Sequence, residues 1–250
     1  MKALITGASN GLGRDFALKL AKKGYDLVLV ARSEDKLDHL KNDIKDVNVD
    51  TIVMDLSVKE NVYKLYEKYK GQIDLLINNA GFGAFGEFVK TDLDNELNMI
   101  DLNVITYHIL TKLFLRDFIS KDNGQILNVA SSAAFSPGPL MATYYASKSY
   151  VYNLTMAIYE ELRHEKSNVK VSVLCPGPVD TGFNDRAHVK FGVKSLTSDY
   201  VTDYSLKCLK RNKLLIIPGF KMKMAIFFER FVGRKTLLKM IYGIQERKTK

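Results

Sequence analysis

Cysteine and histidine are scarce in this sequence, and long apolar runs are missing. The two cysteines, Cys175 and Cys208, have no metal-type spacing, and the four histidines form no H-x-x-x-H or similar pair. We therefore expect no metal site. A buried free thiol is the simplest interpretation of Cys175, which lies in a strand-like run. No stretch reaches the roughly 18 to 20 consecutive apolar residues that a membrane-spanning helix requires.

The start of the sequence offers little room for a targeting segment, because Met1–Ala3 leads directly into an apolar strand-like run. We therefore expect no signal peptide. Together with the low cysteine content, this favours a reducing, cytoplasmic location.

Acidic residues are scarce at the C-terminal end, where the positive charge of the chain is concentrated. The formal net charge is +9, and residues 221–250 contribute +7 of it with nine Lys or Arg residues and two Glu. A basic balance alone does not indicate nucleic-acid binding, and no zinc-finger, basic-zipper or RNA-recognition pattern is present. We therefore expect no nucleic-acid partner.

The chain has 250 residues, enough for one large domain with a well-buried core. Apolar, β-rich runs alternate with segments of helical periodicity, which predicts a parallel sheet with helices on both faces. Ligands of such sheets bind beyond the carboxyl ends of the strands. The strand-like runs are residues 2–6, 26–31, 49–54, 73–78, 124–130, 169–175 and 213–217, and the helical segments are about 12–23, 34–45, 58–70, 93–119, 143–165, 199–211 and 221–245.

A glycine-rich turn follows the first predicted strand. Residues Thr6 to Gly13 have the spacing T-G-x-x-x-G-x-G, and a helical pattern begins directly after it. Glycines allow a tight turn and a close approach of the backbone to a ligand. The N-terminus of the next helix then offers free N–H groups and a positive dipole end, which is typical of a pyrophosphate site.

A tyrosine and a lysine lie four residues apart in a predicted helix, so Tyr144 and Lys148 share one helical face. A nearby ammonium favours the phenolate, and we expect Lys148 to lower the pKa of Tyr144 and make it a usable acid near neutral pH. Ser131 lies thirteen residues before Tyr144, at the end of a strand-like run. The adjacent residues Tyr145 and Ser132 do not fit this spacing.

Two further motifs follow predicted strands: Asn78-Asn79-Ala80-Gly81 and Pro176-Gly177-Pro178-Val179-Asp180-Thr181. With the glycine turn and the Ser–Tyr–Lys set, they occur in the order of the short-chain dehydrogenase/reductase family, which residues 1–181 resemble. The resemblance implies an α/β fold with a single doubly wound Rossmann domain over residues 1–250. That domain has a seven-stranded parallel sheet, helices on both faces and a C-terminal helical extension.

The resemblance also implies a reaction and an assembly. The reaction is hydride transfer between a nicotinamide cofactor and a small-molecule carbonyl or secondary alcohol. Tyr144 would protonate the nascent alkoxide, and Ser131 would donate a hydrogen bond to the substrate oxygen. Lys148 would stabilise the phenolate and bind the nicotinamide ribose. The assembly would be a homodimer or homotetramer formed through the helices near 93–119 and 143–165.

Two more residues receive roles from the resemblance. Asn103 would hold a water that links Lys148 to bulk solvent, and Asp55 would meet the adenine amino group. Asn103 also has a structural alternative, since a buried asparagine that bridges backbone groups needs no catalytic role.

The choice of cofactor depends on Arg32, nineteen residues after Gly13, where an acidic residue would bind the ribose 2′-hydroxyl of NAD. An arginine there favours the 2′-phosphate of NADP, and Ser33 adds a hydroxyl. We therefore predict NADP(H); the alternative is a surface arginine at the start of a helix. The predicted cofactor site consists of Thr6, Gly7, Ser9, Asn10, Gly11, Leu12, Gly13, Arg32, Ser33, Asp55, Leu56, Asn79, Ala80, Gly81, Tyr144, Lys148, Pro176, Gly177, Val179 and Thr181.

Three other functions fit parts of the sequence. Residues Gly7 to Gly11 match the G-x-S-x-G motif of a hydrolase nucleophile elbow. That elbow would lie on the first strand, with no earlier loop for a second oxyanion donor, and only His164 and His188 are late candidates for its histidine. A sugar-nucleotide epimerase or dehydratase uses a Tyr–Lys pair with a different glycine spacing. The main alternative is a non-catalytic NADP-binding regulatory protein, against which the intact Ser–Tyr–Lys set argues.

The substrate is set by residues 182–200, the predicted substrate loop, and by the basic C-terminal extension, residues 221–250. Neither segment carries a readable code, and we expect an apolar substrate that is steroid-, fatty-acyl- or xenobiotic-like.

In the extension, Met224, Phe227, Phe228 and Phe231 have the i, i+3, i+4, i+7 spacing of one helical face. We expect a helix that lines the cleft or an interface, with Phe227, Phe228 and Phe231 mostly buried. The alternative is a weak contact between this basic helix and an anionic membrane surface.

Overall fold

A computed structural model describes residues 1–181 and 195–246. Seven parallel strands form the main sheet and two short strands form a separate pair. The strands are β1 (Lys2–Thr6), β2 (Asp26–Ala31), β3 (Val49–Val53), β4 (Leu75–Asn78), β5 (Gln125–Val129), β6 (Lys170–Leu174), β7 (Val179–Asp180), β8 (Leu196–Thr197) and β9 (Leu215–Ile216). The main sheet has the order β3-β2-β1-β4-β5-β6-β9, and β7 pairs with β8. The predicted α/β fold with a seven-stranded parallel sheet is confirmed.

Helices alternate with the strands. They are α1 (Gly11–Ala21), α2 (Glu34–Asp43), α3 (Lys59–Tyr69), α4 (Leu93–Ile100), α5 (Thr106–Lys121), α6 (Ala142–His164), α7 (Ser198–Leu209), α8 (Phe220–Glu229) and α9 (Arg234–Glu246). A π-helical turn, Asp101–Ile105, joins α4 to α5, and a 3₁₀ turn, Ser132–Phe135, follows β5.

The sheet is buried on both faces, and most side chains of its central strands are apolar; Thr6, Asn78, Asn128 and Ser172 are buried polar exceptions. Successive side chains of a strand point to opposite faces. Ile5 and Leu29 therefore pack under α1, α2 and α7, whereas Leu4 and Val28 pack under α3 and α5. Cys175 and Cys208 are buried free thiols, as predicted for Cys175.

The strand order reverses between β1 and β4, and this reversal opens a crevice at the carboxyl ends of the strands. The Thr6 hydroxyl accepts hydrogen bonds from the backbone N–H groups of Asn79 (2.9 Å) and Ala80 (3.0 Å). The Asn79 side-chain amide donates back to the carbonyl oxygens of Thr6 (3.0 Å) and Gly7 (3.2 Å). These bonds fix the loops after β1 and β4 against each other.

The C-terminal extension differs from the single helix predicted over residues 221–245. It forms two helices, α8 and α9, which are separated at residues 230–233. Gly233 lies in this break, and glycine is among the weakest helix formers. Residues 182–194 of the predicted substrate loop and residues 247–250 of the extension lie outside the described residues.

The prediction that Phe227, Phe228 and Phe231 are mostly buried is wrong. Their exposed fractions are 49%, 56% and 74%. The spacing correctly gives one apolar face of α8, but the helix packs on the fold through another face, where Ile226 is buried and Met222 is partly buried. Among the helices of residues 1–181 and 195–246, none combines the length and apolarity that crossing a membrane requires.

Candidate active site

A cavity of about 820 Å³ occupies the crevice at the carboxyl ends of the strands. One side of it, here called the strand-end wall, consists of the loops after β1 to β6 together with the first turns of α6. The opposite side, here called the extension wall, consists of residues from α8 and α9: Lys221, Met222, Ala225, Ile241, Ile244 and Gln245. Every predicted site residue lines this cavity except Thr6, Gly13 and Asn103, which lie behind it.

The glycine turn forms the floor of the cavity, and α1 begins within this turn. Gly7 has φ +67°, a region that residues with a Cβ rarely adopt. A Cβ at Gly13 would lie 2.2 Å from the Gly7 carbonyl oxygen, so Gly13 permits close packing of helix on turn rather than contact with a ligand. The Asn10 side chain accepts a hydrogen bond from the backbone N–H of Gly11 and caps α1. The helix N-terminus therefore faces the cavity, as an anion-binding turn requires.

Arg32 and Ser33 lie at the end of the cavity that follows β2. The Arg32 guanidinium is 3.6 Å from a carboxylate oxygen of Asp55, and its side chain is half exposed. Burial alone would raise the pKa of Asp55, but hydrogen bonds from the backbone and hydroxyl of Ser57 and the charge of Arg32 lower that pKa overall. Ser33 is the N-cap of α2, and its hydroxyl makes no capping hydrogen bond within the described chain. Both Arg32 and Ser33 thus present donors to the cavity.

Tyr144, Lys148 and Ser131 meet on the strand-end wall. Ser131 follows β5, and its side chain hydrogen-bonds that of Tyr144. Lys148 lies one turn beyond Tyr144 on α6, is 4% exposed, and donates to the Val129 carbonyl oxygen at 3.0 Å. The Lys148 ammonium is 6.0 Å from the centroid of the Tyr144 ring. The spacing in the sequence therefore does bring the three side chains together.

The prediction that Lys148 lowers the pKa of Tyr144 is wrong for the protein chain alone. Burial raises the pKa of Tyr144 to about 12, and the hydrogen bond with Ser131 offsets only part of this effect. Burial also lowers the pKa of Lys148 to about 8. Removal from water disfavours both charged forms, the phenolate and the ammonium.

The contacts of Asn103 fit its structural alternative, an asparagine that bridges backbone groups, and its role in holding a water stays a prediction. It is fully buried in the π-helical turn and donates to the Phe82 carbonyl oxygen (2.9 Å) and the Ser147 hydroxyl (3.1 Å). Its side-chain oxygen accepts from the backbone N–H of Phe82 at 3.1 Å. A Cβ at Gly81 would lie 2.8 Å from that oxygen and 3.3 Å from the Lys148 ammonium. Asn103 thus holds the loop after β4 beside Lys148.

The loop after β6 crosses the middle of the cavity. The backbone N–H of Ser132 donates to the Pro176 carbonyl oxygen at 2.8 Å, which ties this loop to the one after β5. Thr181 lies against Gly11, where a Cβ would meet the threonine methyl at 2.9 Å. Gly177 faces the terminal methyl of Met222, and a Cβ there would be 2.5 Å from it. The loop is therefore enclosed between the glycine turn and α8.

Sequence reasoning missed a contact between Tyr145 and Gln245. The Gln245 amide nitrogen is 2.6 Å from the Tyr145 hydroxyl, and both side chains line the cavity. Gln245 is 1% exposed, and its Oε1 atom has no hydrogen-bond partner among the described residues. The sequence does carry a signal for this contact: Gln245 is a polar residue on the same helical face of α9 as the apolar residues Leu238 and Ile241.

The cavity fits a dinucleotide. Gly7, Gly11 and Gly81 line the cavity without side chains, so the backbone stays open where a pyrophosphate and a nicotinamide would pass. The N-terminus of α1 supplies N–H donors near the centre, and Arg32 and Ser33 supply donors at one end. Ser131, Tyr144 and Lys148 lie at the other end.

Comparison with known proteins agrees with this geometry. The family model described as short chain dehydrogenase matches residues 1–199. A solved short-chain dehydrogenase from Sphingobium yanoikuyae in complex with NADPH is 30% identical, with a TM-score of 0.83 over 88% of each chain. A short-chain dehydrogenase/reductase from Burkholderia phymatum in complex with NAD is 25% identical, with a TM-score of 0.84 over 92% of each chain.

A curated relative, the very-long-chain 3-oxoacyl-CoA reductase of Macaca fascicularis, is 34% identical over 169 residues. The match covers 64% of this chain and 54% of the relative, so the chain spans about half the length of that protein. The motifs, the doubly wound sheet and the family match agree, and the chain belongs to the short-chain dehydrogenase family of nicotinamide-dependent oxidoreductases.

Proposed function

We propose that the protein is an NADP(H)-dependent reductase of apolar carbonyl compounds that also oxidises the corresponding secondary alcohols. The observation that carries this proposal is the meeting of Ser131, Tyr144 and Lys148 in one cavity with Arg32 and Ser33. The first three residues supply the chemistry of a carbonyl, and the last two supply donors for a 2′-phosphate.

When bound, the nicotinamide supplies or accepts the hydride at the substrate carbon. Ser131 donates a hydrogen bond to the substrate oxygen and holds it beside the Tyr144 phenol. The raised pKa of Tyr144 keeps its proton in place at neutral pH, so the phenol transfers that proton as negative charge develops on the substrate oxygen. The carbonyl thus gains a hydride at carbon and a proton at oxygen.

Lys148 stabilises the phenolate that Tyr144 leaves behind. Its lowered pKa of about 8 still leaves the ammonium mostly protonated at neutral pH. Its hydrogen bond to the Val129 carbonyl oxygen fixes the side chain below the Tyr144 ring. Asn103 acts as a positioning residue, because it holds the Gly81 loop against Lys148.

The apolar character of the substrate follows from the extension wall, where Met222, Ala225, Ile241 and Ile244 face Tyr144 and Ser131 across the cavity. Reduction of a long acyl or polycyclic carbonyl fits this wall. One relative is an acyl-CoA reductase, which supports reduction of an apolar carbonyl compound. One of the two similar structures holds NADPH, which supports the proposed cofactor, and the other holds NAD, so the cofactor preference has to be measured.

We also propose a homo-oligomer. Exposed apolar side chains lie on α4, α5 and α6, including Leu93, Leu97, Ile119 and Tyr150. These helices are the ones for which the sequence predicts a dimer or tetramer interface. Sedimentation velocity at several concentrations tests this, and a monomer at all of them contradicts it.

The experiment that tests the function is a screen of aliphatic, aromatic and polycyclic ketones with NADPH and with NADH. We expect consumption of NADPH with at least one bulky apolar ketone and formation of the alcohol. Tight binding of NADPH without consumption across the whole panel, in either direction, would favour the non-catalytic regulatory protein.

A further inference from the structure

The helix α8 has two apolar faces, and the fold covers one of them. Ile226 is buried against the core near Val151 and Ile217, and Met222 packs beside it. Phe220 and Phe227 are seven residues apart and share the opposite face, and Phe231, in the turn after α8, packs on Phe227. Phe220 and Phe231 are 75% and 74% exposed, and Phe227 and Phe228 are about half exposed. We call these four phenylalanines the aromatic face.

The rings of the aromatic face pack on one another rather than into the fold. The Phe227 ring centroid is 5.4 Å from that of Phe228 and 5.6 Å from that of Phe231, both in edge-to-face geometry. Phenylalanine side chains usually bury roughly 150 to 250 Å² each. Large contiguous apolar surfaces on a protein mark interaction sites. The aromatic face therefore has an occupant in the working protein.

The charge around the aromatic face decides what that occupant is. Lys221 neighbours the face on one side of the helix, and Lys223 and Arg230 neighbour it on the other. Residues 221–250 carry a net charge of +7. A second copy of the chain would bring the same charge to a twofold contact and repel it, whereas an anionic bilayer attracts each such cation by about 1 kcal/mol.

The structure assigns the aromatic face to the surface of an anionic lipid bilayer. Helix α8 has ten residues, too few to cross a bilayer, and it would lie in the plane of the headgroups with its rings among the acyl chains. This inference goes beyond the proposed reaction and does not depend on it.

Docking in this way would also place the cavity near the bilayer. Lys221 and Ala225 line the cavity and neighbour Phe228 on the helix surface. On α9, Ile244 lines the cavity while half of its side chain is exposed. The cavity lining and the aromatic face therefore adjoin on α8, and docking would bring the extension wall close to the bilayer surface.

Vesicle binding by the full chain tests the inference. The probes are sedimentable vesicles of phosphatidylcholine alone and of phosphatidylcholine mixed with phosphatidylserine. We expect binding to the mixed vesicles at low salt, at least tenfold weaker binding to the neutral ones, and loss of binding at high salt. The double variant Phe228→Ser/Phe231→Ser should bind the mixed vesicles at least tenfold more weakly, because it lacks two rings that the bilayer would bury.

The matched control is Phe88→Ser, which removes a ring that is 69% exposed in the loop before α4 and does not belong to the aromatic face. It should bind like the wild type. Unchanged thermal midpoints in both variants show that the fold is intact, and binding is measured without any substrate, so a failed activity screen leaves the result unaffected. Equal vesicle binding by wild type and double variant overturns the inference. So does a wild-type dimer that the double variant loses while neither protein binds vesicles.

Discussion

The two walls of the cavity are built in opposite ways. The strand-end wall keeps polar groups out of water: Lys148 in the wall and Asn103 behind it are buried and donate hydrogen bonds to the carbonyl oxygens of Val129 and Phe82. The helices that carry the extension wall leave apolar groups in water: the aromatic face is exposed, and among the described residues of α8 and α9 only Ile226 and Gln245 are buried. Polar groups held in fixed positions can stabilise the charge that develops during a reaction, and a loosely packed apolar wall can adapt to an apolar molecule.

The surroundings of two glycines, Gly13 and Gly177, also differ in how they would accommodate an added Cβ atom. Behind the strand-end wall, a Cβ at Gly13 meets the Gly7 carbonyl oxygen at 2.2 Å, which is backbone. Where the strand-end wall meets the extension wall, a Cβ at Gly177 meets the end of the flexible Met222 side chain at 2.5 Å. Backbone has nowhere to move, whereas a methionine has other rotamers.

The largest expected effect on stability and NADPH binding comes from substitution of these two glycines. Gly13→Ala should lower the free energy of unfolding by at least ~3 kcal/mol and abolish NADPH binding, since overpacking against backbone forces α1 off the turn. Gly177→Ala should cost less than ~1 kcal/mol and leave NADPH binding nearly intact, because Met222 can adjust. Urea denaturation and titration of NADPH fluorescence measure both. Equal losses in the two variants would break the distinction between the walls.

The burial of Lys148 predicts a pH dependence of stability. The lysine titrates at a pKa near ~10.4 in the unfolded chain and at about 8 in the folded protein. Between these values the unfolded chain binds more protons, so the free energy of unfolding rises with pH. Lys148→Met removes this contribution.

The stability difference between wild type and Lys148→Met should therefore shift in favour of the wild type by up to ~3 kcal/mol from pH ~7 to pH ~10.5. Urea denaturation at several pH values measures it, and the tyrosines that titrate in both proteins cancel in the difference. Parallel stability curves would mean that the Lys148 ammonium is not desolvated.

A smaller effect is expected at the cofactor end of the strand-end wall. Arg32→Asp should lower the ratio of kcat/KM for NADPH to that for NADH by ~10- to 100-fold, the loss of one charge-assisted hydrogen bond. Arg14→Asp is the matched control, because Arg14 is also a half-exposed arginine but pairs with Asp43 and does not line the cavity. An unchanged ratio in Arg32→Asp would remove the basis for NADP(H).

The strand-end wall could be predicted from the sequence because its signals are local. Glycine spacing, the i, i+4 relation of Tyr144 and Lys148, and polar residues directly after strands each depend on a few neighbouring positions. In a parallel sheet those positions converge at one edge, so local signals sufficed to name residues that line one cavity. The pKa of Tyr144 could not be predicted in this way, since it depends on burial by residues distant in the sequence.

The extension could be predicted only in outline. Periodicity identifies an apolar face on Phe227 and Phe231 but does not say which face the fold covers. The Met222 and Ile226 face packs on the core instead, and the aromatic face is left outside. The contact of Gln245 with Tyr145 joins residues one hundred positions apart and depends on the angle at which α9 returns to the cavity.

The most direct test of the account is the Tyr144→Phe variant, measured for NADPH binding by fluorescence and for turnover of a ketone that the wild type reduces. We expect at least ~10²-fold lower kcat with a nearly unchanged Kd for NADPH, because the variant loses a positioned acid and keeps the ring. Near-normal turnover in Tyr144→Phe, with tight NADPH binding, would contradict the claim that this phenol supplies the proton.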